Sequence, residues 1–423
     1  MKPWLTRNVW NLSWVSFLQD AASEMLYPLM PILLTSLLHA PAAVVGIIEG
    51  LAEGVAATMK LASNRINHYM PRKLMVLLGY AGAGLGKVII AAAGTWPIVL
   101  VGRLTDRVGK GLRSAPRDAL LLHGSDREHR GKIIGFHRTA DTLGAVLGPI
   151  LALGLLAAFD NQVKSVLWFA AIPAVLSVLM VLPVQDNQRS QRTEARVAAQ
   201  DASKHAGLAQ SPTAQAAGTL PEVPLASAAA NPTFAKLGHR DHLSARLRLV
   251  LTLIVGFGVI NFPDALLLLH VSQIGFSVTG VVGAYLLYNI AYAALNFPAG
   301  WLADRMPPSR IYAIGLLLFA ITYGGMGLTR DPNLTLALLA IYGGFAAAND
   351  TVGKSWISKL APESRQLWAQ SLLQGLSGFS ILISGLWAGL LWMLGAGAGQ
   401  VSLLISGGVA VVAAAIMFFI GRD

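Results

Sequence analysis

The sequence predicts an all-α integral membrane protein whose twelve transmembrane helices form two pseudo-symmetric six-helix bundles. Of its 423 residues, 54% are hydrophobic and only 13% are charged, whereas soluble domains carry about 25% charged residues. Apolar stretches of about twenty residues recur along the chain, and each is long enough to cross about 30 Å of hydrocarbon as a helix. A polar segment in the middle of the chain separates six of these stretches from the other six.

Twelve membrane spans follow one another along the chain. They are predicted at residues 8–38, 41–63, 74–94, 97–121, 133–158, 165–183, 248–270, 279–303, 311–328, 334–358, 367–394 and 401–420. The first span is not a signal peptide, because it carries Asp20 and Glu24 and has no small-residue cleavage site. Spans six, nine and twelve lack Asp, Glu, Lys and Arg, so we expect them to face lipid.

The orientation follows from the loops. Lys and Arg are concentrated in alternate loops, whereas the opposite loops have only Lys164 and Arg330 as strong bases. The positive-inside rule therefore predicts that the basic loops and both termini are cytoplasmic, with the chain in the inner (plasma) membrane. This pattern also accounts for the net charge of +11 without a nucleic-acid partner. The chain has no cysteine, which excludes disulfides and thiol chemistry.

Three domains are predicted from the change in composition. Residues 1–184 form the N-terminal bundle, and residues 247–423 form the C-terminal bundle. Residues 185–246 are rich in Ala, Gln, Ser and Pro and lack apolar periodicity, which predicts a flexible cytoplasmic linker. We expect a monomer. Weak repetition of six-span units is typical of transporters that alternate access to a site between their halves.

Span four carries charges that lipid would not accept. Each Lys, Arg or Asp at the centre of a spanning helix costs roughly 2.5–3.5 kcal/mol, so this face must meet protein or water. At helical spacing the side chains form one stripe: Arg103, Asp106, Arg107, Lys110, Arg113 and Arg117. We expect the stripe to contact solute, coupling ion or gate. The alternative is that Asp106 and Asp118 pair with neighbouring arginines and only fasten helices together.

The inner end of span four has a separate predicted role. Arg113 and Arg117 lie roughly 24 to 30 Å from its outer end at 1.5 Å per residue, at the cytoplasmic mouth. We expect both arginines to organise the inner gate together with Asp118. Pro116 lies between them and removes one helical hydrogen bond, which predicts a kink there.

Proton carriers are predicted on spans one and two. Asp20 lies near the membrane midplane, with Glu24 one turn further on the same face, and Glu49 and Glu53 repeat this spacing. Burial and mutual repulsion disfavour the charged form of such carboxylates, so they suit proton exchange. The alternative for span two is a set of satisfied ion pairs between Glu53, Lys60 and Lys87.

A substrate cavity is predicted from polar side chains at helical spacing on inward faces. Its candidate residues are Lys87, Lys110, Arg138, Asp141, Asp264, Tyr288, Asn289, Tyr292, Asp350, Gln370 and Gln374. A tyrosine stripe is more often packing than a binding surface. His270 is predicted as a lone interfacial histidine. Asp20 and His270 are the only candidate metal ligands and lie far apart, so no metal site and no cofactor is expected.

Four segments together resemble the motifs of the major facilitator superfamily. Residues 300–310, GWLADRMPPSR, are similar to its gating loop, and residues 60–73 form a degraded copy in which Asn64 replaces the acidic residue. Arg103 with the glycines that follow resembles the arginine-glycine motif of span four. Residues 144–149, GAVLGP, resemble the glycine-proline motif of proton-driven exporters. The resemblance implies a role in coupling for Arg103 and roles in gating for Asn64, Arg65, Gly144, Gly148, Pro149, Gly300, Asp304 and Arg305.

A secondary transporter is therefore predicted rather than an enzyme. The glycine-rich residues 79–87 lie inside a span and lack the Ser or Thr of a phosphate loop, and no ATPase domain is present. Transport must then use an ion gradient. We expect proton-coupled export of a small organic solute. The alternatives are a proton-coupled symporter of an organic anion and a membrane sensor with the same fold.

Overall fold

The computed structural model describes residues 4–67, 69–122, 129–186, 244–303, 305–361, 366–395 and 397–420. Within these residues the chain is helical and contains no β-strand, which confirms the predicted all-α class. Met1–Gln185 and Arg246–Asp423 form one compact unit. The predicted linker at 185–246 lies almost entirely outside the described residues, so the three-part division of the chain stays a prediction.

Thirteen helices of ten or more residues make up the described chain. They are α1 (Arg7–Leu26), α2 (Ala42–Ile66), α3 (Arg72–Ala92), α4 (Trp96–Leu121), α5 (Arg130–Ala158), α6 (Val163–Val181), α7 (Ala245–Gly258), α8 (Asp264–Gln273), α9 (Val278–Ala303), α10 (Pro308–Leu328), α11 (Pro332–Leu360), α12 (Gln366–Leu390) and α13 (Gln400–Ile420). Helices α7 and α8 share the seventh predicted span, so the helices are consistent with twelve spans.

Eight of the described helices are both long and apolar enough to cross a membrane by length and composition. Helix α4 is not among them, because its charged side chains lower its hydropathy. Helix α1 has 20 residues but too many polar side chains, and α7 and α8, with 14 and 10 residues, are too short. Helix α11 is not among them either. Apolar side chains on α6, α10 and α13 are exposed, including Trp168, Ile172, Leu317, Ile321 and Val412. These are the three spans predicted to face lipid.

The first span is not one continuous helix. After α1 ends at Leu26, the chain forms a 3₁₀ turn at Tyr27–Leu29, a short helical turn at Met30–Ile32 and a π turn at Leu33–Leu37. Pro28 and Pro31 lie in this stretch, and each lacks the backbone N–H that a regular α-helix needs. The prediction of a regular helix over 8–38 is therefore wrong in its outer third. This stretch packs against α8 and α9.

The seventh span is also broken. Helix α7 ends at Gly258 and α8 begins after Pro263, so the chain between them is not helical. Side chains of α12 and α13 donate to its freed carbonyls: Trp387 to Val259 at 2.7 Å, Ser406 to Ile260 at 2.8 Å and Ser384 to Asn261 at 3.1 Å. Backbone inside a membrane must be satisfied in this way. The predicted continuous helix at 248–270 is wrong, and Asp264 becomes the first residue of α8.

The two halves meet along two pairs of helices, α2 with α12 and α5 with α9. The α2–α12 contact is close because glycines face each other. A Cβ atom on Gly385 would lie 2.5 Å from the carbonyl oxygen of Gly46, and one on Gly389 would lie 3.0 Å from that of Ala43. Small residues permit such backbone approach between membrane helices.

Candidate functional site

The candidate site lies between the halves, on the inner side of the contact that joins the outer parts of the first and seventh spans. There the Tyr27–Leu29 turn packs against α8 and α9. "Outer" denotes the end that the positive-inside pattern predicts to be outside the cell. Asp20 and Glu24 on α1 and Asp264 on α8 are all partly accessible here.

Most cationic side chains of α4 form ion pairs with carboxylates inside the N-terminal half. Arg103 binds Glu49 through two hydrogen bonds of 2.8 and 2.6 Å and lies 3.7 Å from Asp106. Asp106 also accepts from Lys87 at 3.0 Å. All four side chains are buried, Lys87 with only 2% of its surface exposed. Lys87, predicted at the cavity, is therefore held between α3 and α4 because Asp106 compensates its buried charge.

Arg107 extends this network along α2. Its guanidinium lies 3.9 Å from Glu49 and 3.2 Å from Glu53. Protonating Glu49 or Glu53 would deprive a buried cation of its partner, and breaking such pairs is strongly unfavourable. Both carboxylates, predicted as proton carriers, thus lie in a fixed ion-pair network instead of facing the cavity without a partner. The alternative of ion pairing also holds for Lys87, with Asp106 as its partner.

The inner arginines of α4 differ from each other. Arg113 is buried, stacks 4.4 Å above the Tyr80 ring and lies 3.4 Å from the carbonyl of Gly79. Arg113 therefore packs against α3 and does not line a cavity. Arg117 donates to Asp118 at 2.9 and 3.1 Å and to Ser16 on α1 at 3.1 Å. Lys110 is exposed on the remaining face of α4. The predicted single stripe is thus divided among several neighbours, and Pro116 lies within a helix that continues to Leu121.

His137 on α5 is a candidate residue that the sequence analysis missed. It is 2% exposed, and its Nε2 lies 3.4 Å from the Ser16 hydroxyl and 3.7 Å from Asp141. Its Nδ1 has no hydrogen-bond partner in the described part of the chain. The signal was present in the spacing, since His137 lies one helical turn from Asp141. Arg138, predicted at the cavity, is largely exposed and lies 3.7 Å from Asp141.

Two carboxylates on α1 remain outside the arginine network. No Lys, Arg or His nitrogen of the described residues lies within 4 Å of Asp20 or Glu24. The charged groups that act on Asp20 most are Asp141, Lys110, Glu24 and Arg117. Glu24 instead accepts a hydrogen bond from the hydroxyl of Tyr285 on α9. This bond connects the two halves.

Tyrosines line the same region from both halves. Asp264 accepts from the Tyr342 hydroxyl at 2.8 Å, and the Tyr288 hydroxyl lies beside it. The ring centroids form a continuous series: Tyr27 to Tyr285 at 5.5 Å, Tyr285 to Tyr288 at 5.9 Å and Tyr288 to Tyr342 at 5.3 Å. Tyr27 and Tyr342 were not predicted as site residues, because neither belongs to the tyrosine stripe of span eight.

The other predicted cavity residues are less closely connected to this cluster. Asn289 donates to the Tyr285 carbonyl at 3.1 Å and so stabilises its own helix. Tyr292 and Gln370 are partly accessible and Gln374 is exposed. The side chain of Asp350 lies outside the described residues. His270 is buried, with Nδ1 2.7 Å from the carbonyl of Ala398 at the outer end.

The predicted gating residues divide into packing positions and loop positions. Gly144 and Gly148 let α5 approach α1, since a Cβ on Gly148 would lie 2.6 Å from the carbonyl of Ala21, and Pro149 lies within α5. Arg65 is exposed near the end of α2. Arg305 stacks 3.6 Å from the Trp301 ring centroid. Asp304 and the side chain of Asn64 are outside the described residues, and Gly300 is described only as backbone of α9.

A separate cavity of about 610 Å³ opens at the outer end between the halves, and its lining includes Ser36, Lys164 and Ser272. Within the residues described here, no group of three or more His, Cys, Asp and Glu side chains could hold a metal ion.

Comparisons with known proteins agree with this architecture. A family model described as Major Facilitator Superfamily matches residues 12–290 and 249–423. An uncharacterized MFS-type transporter of Methanocaldococcus jannaschii is 24% identical over 98% of this chain and 95% of its own. A triacylglyceride transporter of Mycolicibacterium smegmatis is 29% identical over 31% of this chain and 23% of its own. The crystal structure of the nucleoside transporter NupG superposes with a TM-score of 0.74 at 14% identity, covering 99% of this chain and 100% of that one.

Proposed function

The chain belongs to the Major Facilitator Superfamily and is a multi-pass membrane transporter rather than an enzyme, and from this premise we propose that it exports a small organic solute in exchange for protons. It works as a monomer in the plasma membrane with both termini in the cytoplasm. The bundles 1–184 and 247–423 move relative to each other, joined by the linker 185–246. The proton gradient drives transport, without a metal or an organic cofactor.

The position of Asp20 carries the proposal of proton coupling. Asp20 is partly accessible and has no cation of the described residues within 4 Å. A carboxylate in this setting can take up and release a proton without breaking an ion pair. Glu49 and Glu53 cannot, because each holds a buried arginine. Arg103 then contributes to proton coupling only indirectly, because it holds the Glu49 side chain in place.

A path between Asp20 and the inner end supports this assignment. Asp141 is a charged neighbour of Asp20, and His137 lies between Asp141 and Ser16. Ser16 also accepts from Arg117, which stays charged and orients the hydroxyl without carrying the proton itself. Histidine and hydroxyl groups relay protons over such distances. Protons would therefore pass between Asp20 and the cytoplasm through the N-terminal half.

Alternating access is supported by the nature of the contacts between the halves. At three points of the α2–α12 contact a glycine meets a glycine or an alanine, so no long side chain has to disengage there. These pairs are Gly385 with Gly46, Gly389 with Ala43 and Gly378 with Ala57. The outer ends are joined by the packing of α8 against the Tyr27–Leu29 turn. Rocking of the halves would break this outer contact while α2 and α12 remain adjacent. Such rigid-body movement is a common way to expose a site alternately to the two sides.

Export, rather than import, is favoured by the glycine-proline segment at 144–149, where Gly144 and Gly148 pack α5 closely onto α1. Arg103 and Arg107 already bind carboxylates, so neither of them supports the alternative of an anion symporter.

Purified protein in liposomes that contain a pH-sensitive dye tests the proposal. A panel of neutral, cationic and anionic solutes is added outside, and the internal pH is followed. We expect at least one solute to move protons in the opposite direction, and a protonophore to abolish concentrative transport of that solute. Solute flux that persists unchanged with a protonophore, or that moves no proton, would refute proton coupling.

A further inference from the structure

We propose that the site between the halves binds an organic cation with an aromatic or apolar body, whose charge lies between Glu24 and Asp264 and whose body packs against the cluster of Tyr27, Tyr285, Tyr288 and Tyr342. This inference rests on the proposed transport function and names its substrate class. It is independent of the proton as coupling ion.

The charge of the site is the first argument. Glu24 and Asp264 come from different halves, and tyrosine hydroxyls are their hydrogen-bond donors. No Lys, Arg or His nitrogen of the described residues lies within 4 Å of either one. Partly buried carboxylates without a cationic partner are unfavourable unless they are neutralised. A cationic ligand would neutralise them.

The second argument is that the nearby cations are already occupied. Arg103 lies 5.5 Å from the Tyr27 ring, but Glu49 binds it through both of its oxygens. Arg107 is held by Glu49 and Glu53. Lys110 is exposed and its charge acts on Glu24, but in the described chain its nitrogen does not lie within 4 Å of that carboxylate. An anionic solute would therefore find no unpaired arginine at the tyrosine cluster.

The aromatic rings supply the third argument. The four tyrosines form an unbroken series of ring contacts from α9 and α11 to the first span. The hydroxyls of Tyr285, Tyr288 and Tyr342 lie at the two carboxylates. Tyr27 and Tyr288 are partly accessible and can offer ring surface to an apolar ligand, whereas Tyr285 and Tyr342 are buried. Aromatic faces attract cations within about 6 Å of the ring centre, and quaternary ammonium ligands are recognised in this way. Carboxylates and tyrosines together thus select for positive charge and apolar surface.

Binding to purified protein in detergent, without any gradient, tests the inference. The probes are tetraphenylphosphonium and the smaller benzyltrimethylammonium as cations, with benzenesulfonate as the anion. We expect at least one of the two cations to bind and benzenesulfonate to bind at least tenfold more weakly. Glu24→Gln and Asp264→Asn should each weaken cation binding at least tenfold. Asp160→Asn, in the exposed turn after α5, is the matched control and should bind like wild type.

Variants of Tyr288 separate ring contacts from hydrogen bonding. Tyr288→Phe keeps the ring and should retain most of the affinity, whereas Tyr288→Leu should lose at least fivefold. Each variant is used only if it elutes from a size-exclusion column as a single species at the wild-type volume. The variants Glu24→Asp and Asp264→Glu keep the negative charge and should therefore bind the cation more tightly than the two amide variants.

The inference is overturned if neither cation binds, if benzenesulfonate binds as tightly as the better cation, or if both amide variants bind like wild type. These binding results do not test proton coupling. If neither cation binds but a neutral or anionic solute shows proton-coupled flux, only the proposed substrate class is refuted. Cation binding without any proton-coupled flux refutes only the proposed coupling.

Discussion

The Tyr285 hydroxyl on α9 donates to the Glu24 carboxylate on α1. These residues belong to different halves of the chain, so this hydrogen bond joins the halves next to the outer contact. A hydrogen bond to a carboxylate contributes about 1.5–3 kcal/mol when the carboxylate is ionised. It should therefore favour the arrangement in which the outer end is closed.

Replacing Tyr285 by Phe keeps the ring and removes this bond. We expect the equilibrium between the closed and the open outer end to shift toward the open state by roughly tenfold or more. Because the chain has no native cysteine, a single cysteine in place of Leu29, which is buried in the outer contact, reports opening through its labelling rate. Tyr312→Phe is the control, since that buried hydroxyl has no hydrogen-bond partner in the described chain. Equal labelling of both variants would contradict a role for the bond.

The Arg103–Glu49 pair should respond differently to single and double substitution. Glu49→Gln leaves Arg103 without its main partner and should destabilise the protein by about 3–5 kcal/mol. Adding Arg103→Gln removes the orphaned charge, and we expect the double variant to recover most of the loss. The thermal unfolding midpoint of purified protein measures this. Additive losses in the double variant would show that the two side chains do not stabilise each other.

The glycine contact between α2 and α12 predicts a steric effect. A Cβ on Gly385 would lie 2.5 Å from the carbonyl oxygen of Gly46, so Gly385→Ala must push the halves apart and lower the unfolding midpoint. Gly154→Ala is matched, because a Cβ there meets no atom within 4 Å, and it should be neutral or stabilising by about 0.5–1 kcal/mol. Equal midpoints for the two variants would exclude a tight contact at this position.

His137 should matter for proton movement and not for solute binding. His137→Gln keeps a polar side chain but cannot carry a proton, and we expect proton-coupled flux to fall at least tenfold while solute affinity changes less than twofold. His39→Asn, on an exposed outer turn, should transport like wild type. A His137→Gln variant with normal proton-coupled flux would exclude this residue from the proton path.

The membrane architecture could be predicted from the sequence because it depends on local properties. Twenty-residue apolar runs, alternate basic loops and four short motifs were sufficient for the all-helical fold and the family. The interruptions at Tyr27–Leu37 and between Gly258 and Asp264 were missed, although Pro28, Pro31 and Pro263 marked them. Apolar composition alone does not reveal whether neighbouring helices can satisfy the backbone groups that a break exposes.

The composition of the site could be predicted only in part. Asp20, Glu24 and Asp264 were identified by their depth in apolar spans, since carboxylates are costly there. Which cation pairs with which carboxylate depends on how helices pack, so the Lys87–Asp106 pair was not foreseen. Tyr27 and Tyr342 were missed because each lies outside the tyrosine stripe of span eight. His137 was missed although it lies one helical turn from Asp141.

The proton-exchange account depends most directly on Asp20. In liposomes with an internal pH dye, the solute with the largest proton-driven flux in wild type is compared in Asp20→Asn and in the control Asp160→Asn. The account predicts that Asp20→Asn lowers pH-gradient-driven flux at least tenfold while solute binding stays within about twofold of wild type, and that the control is unaffected. Unchanged proton-driven flux in Asp20→Asn would contradict the account.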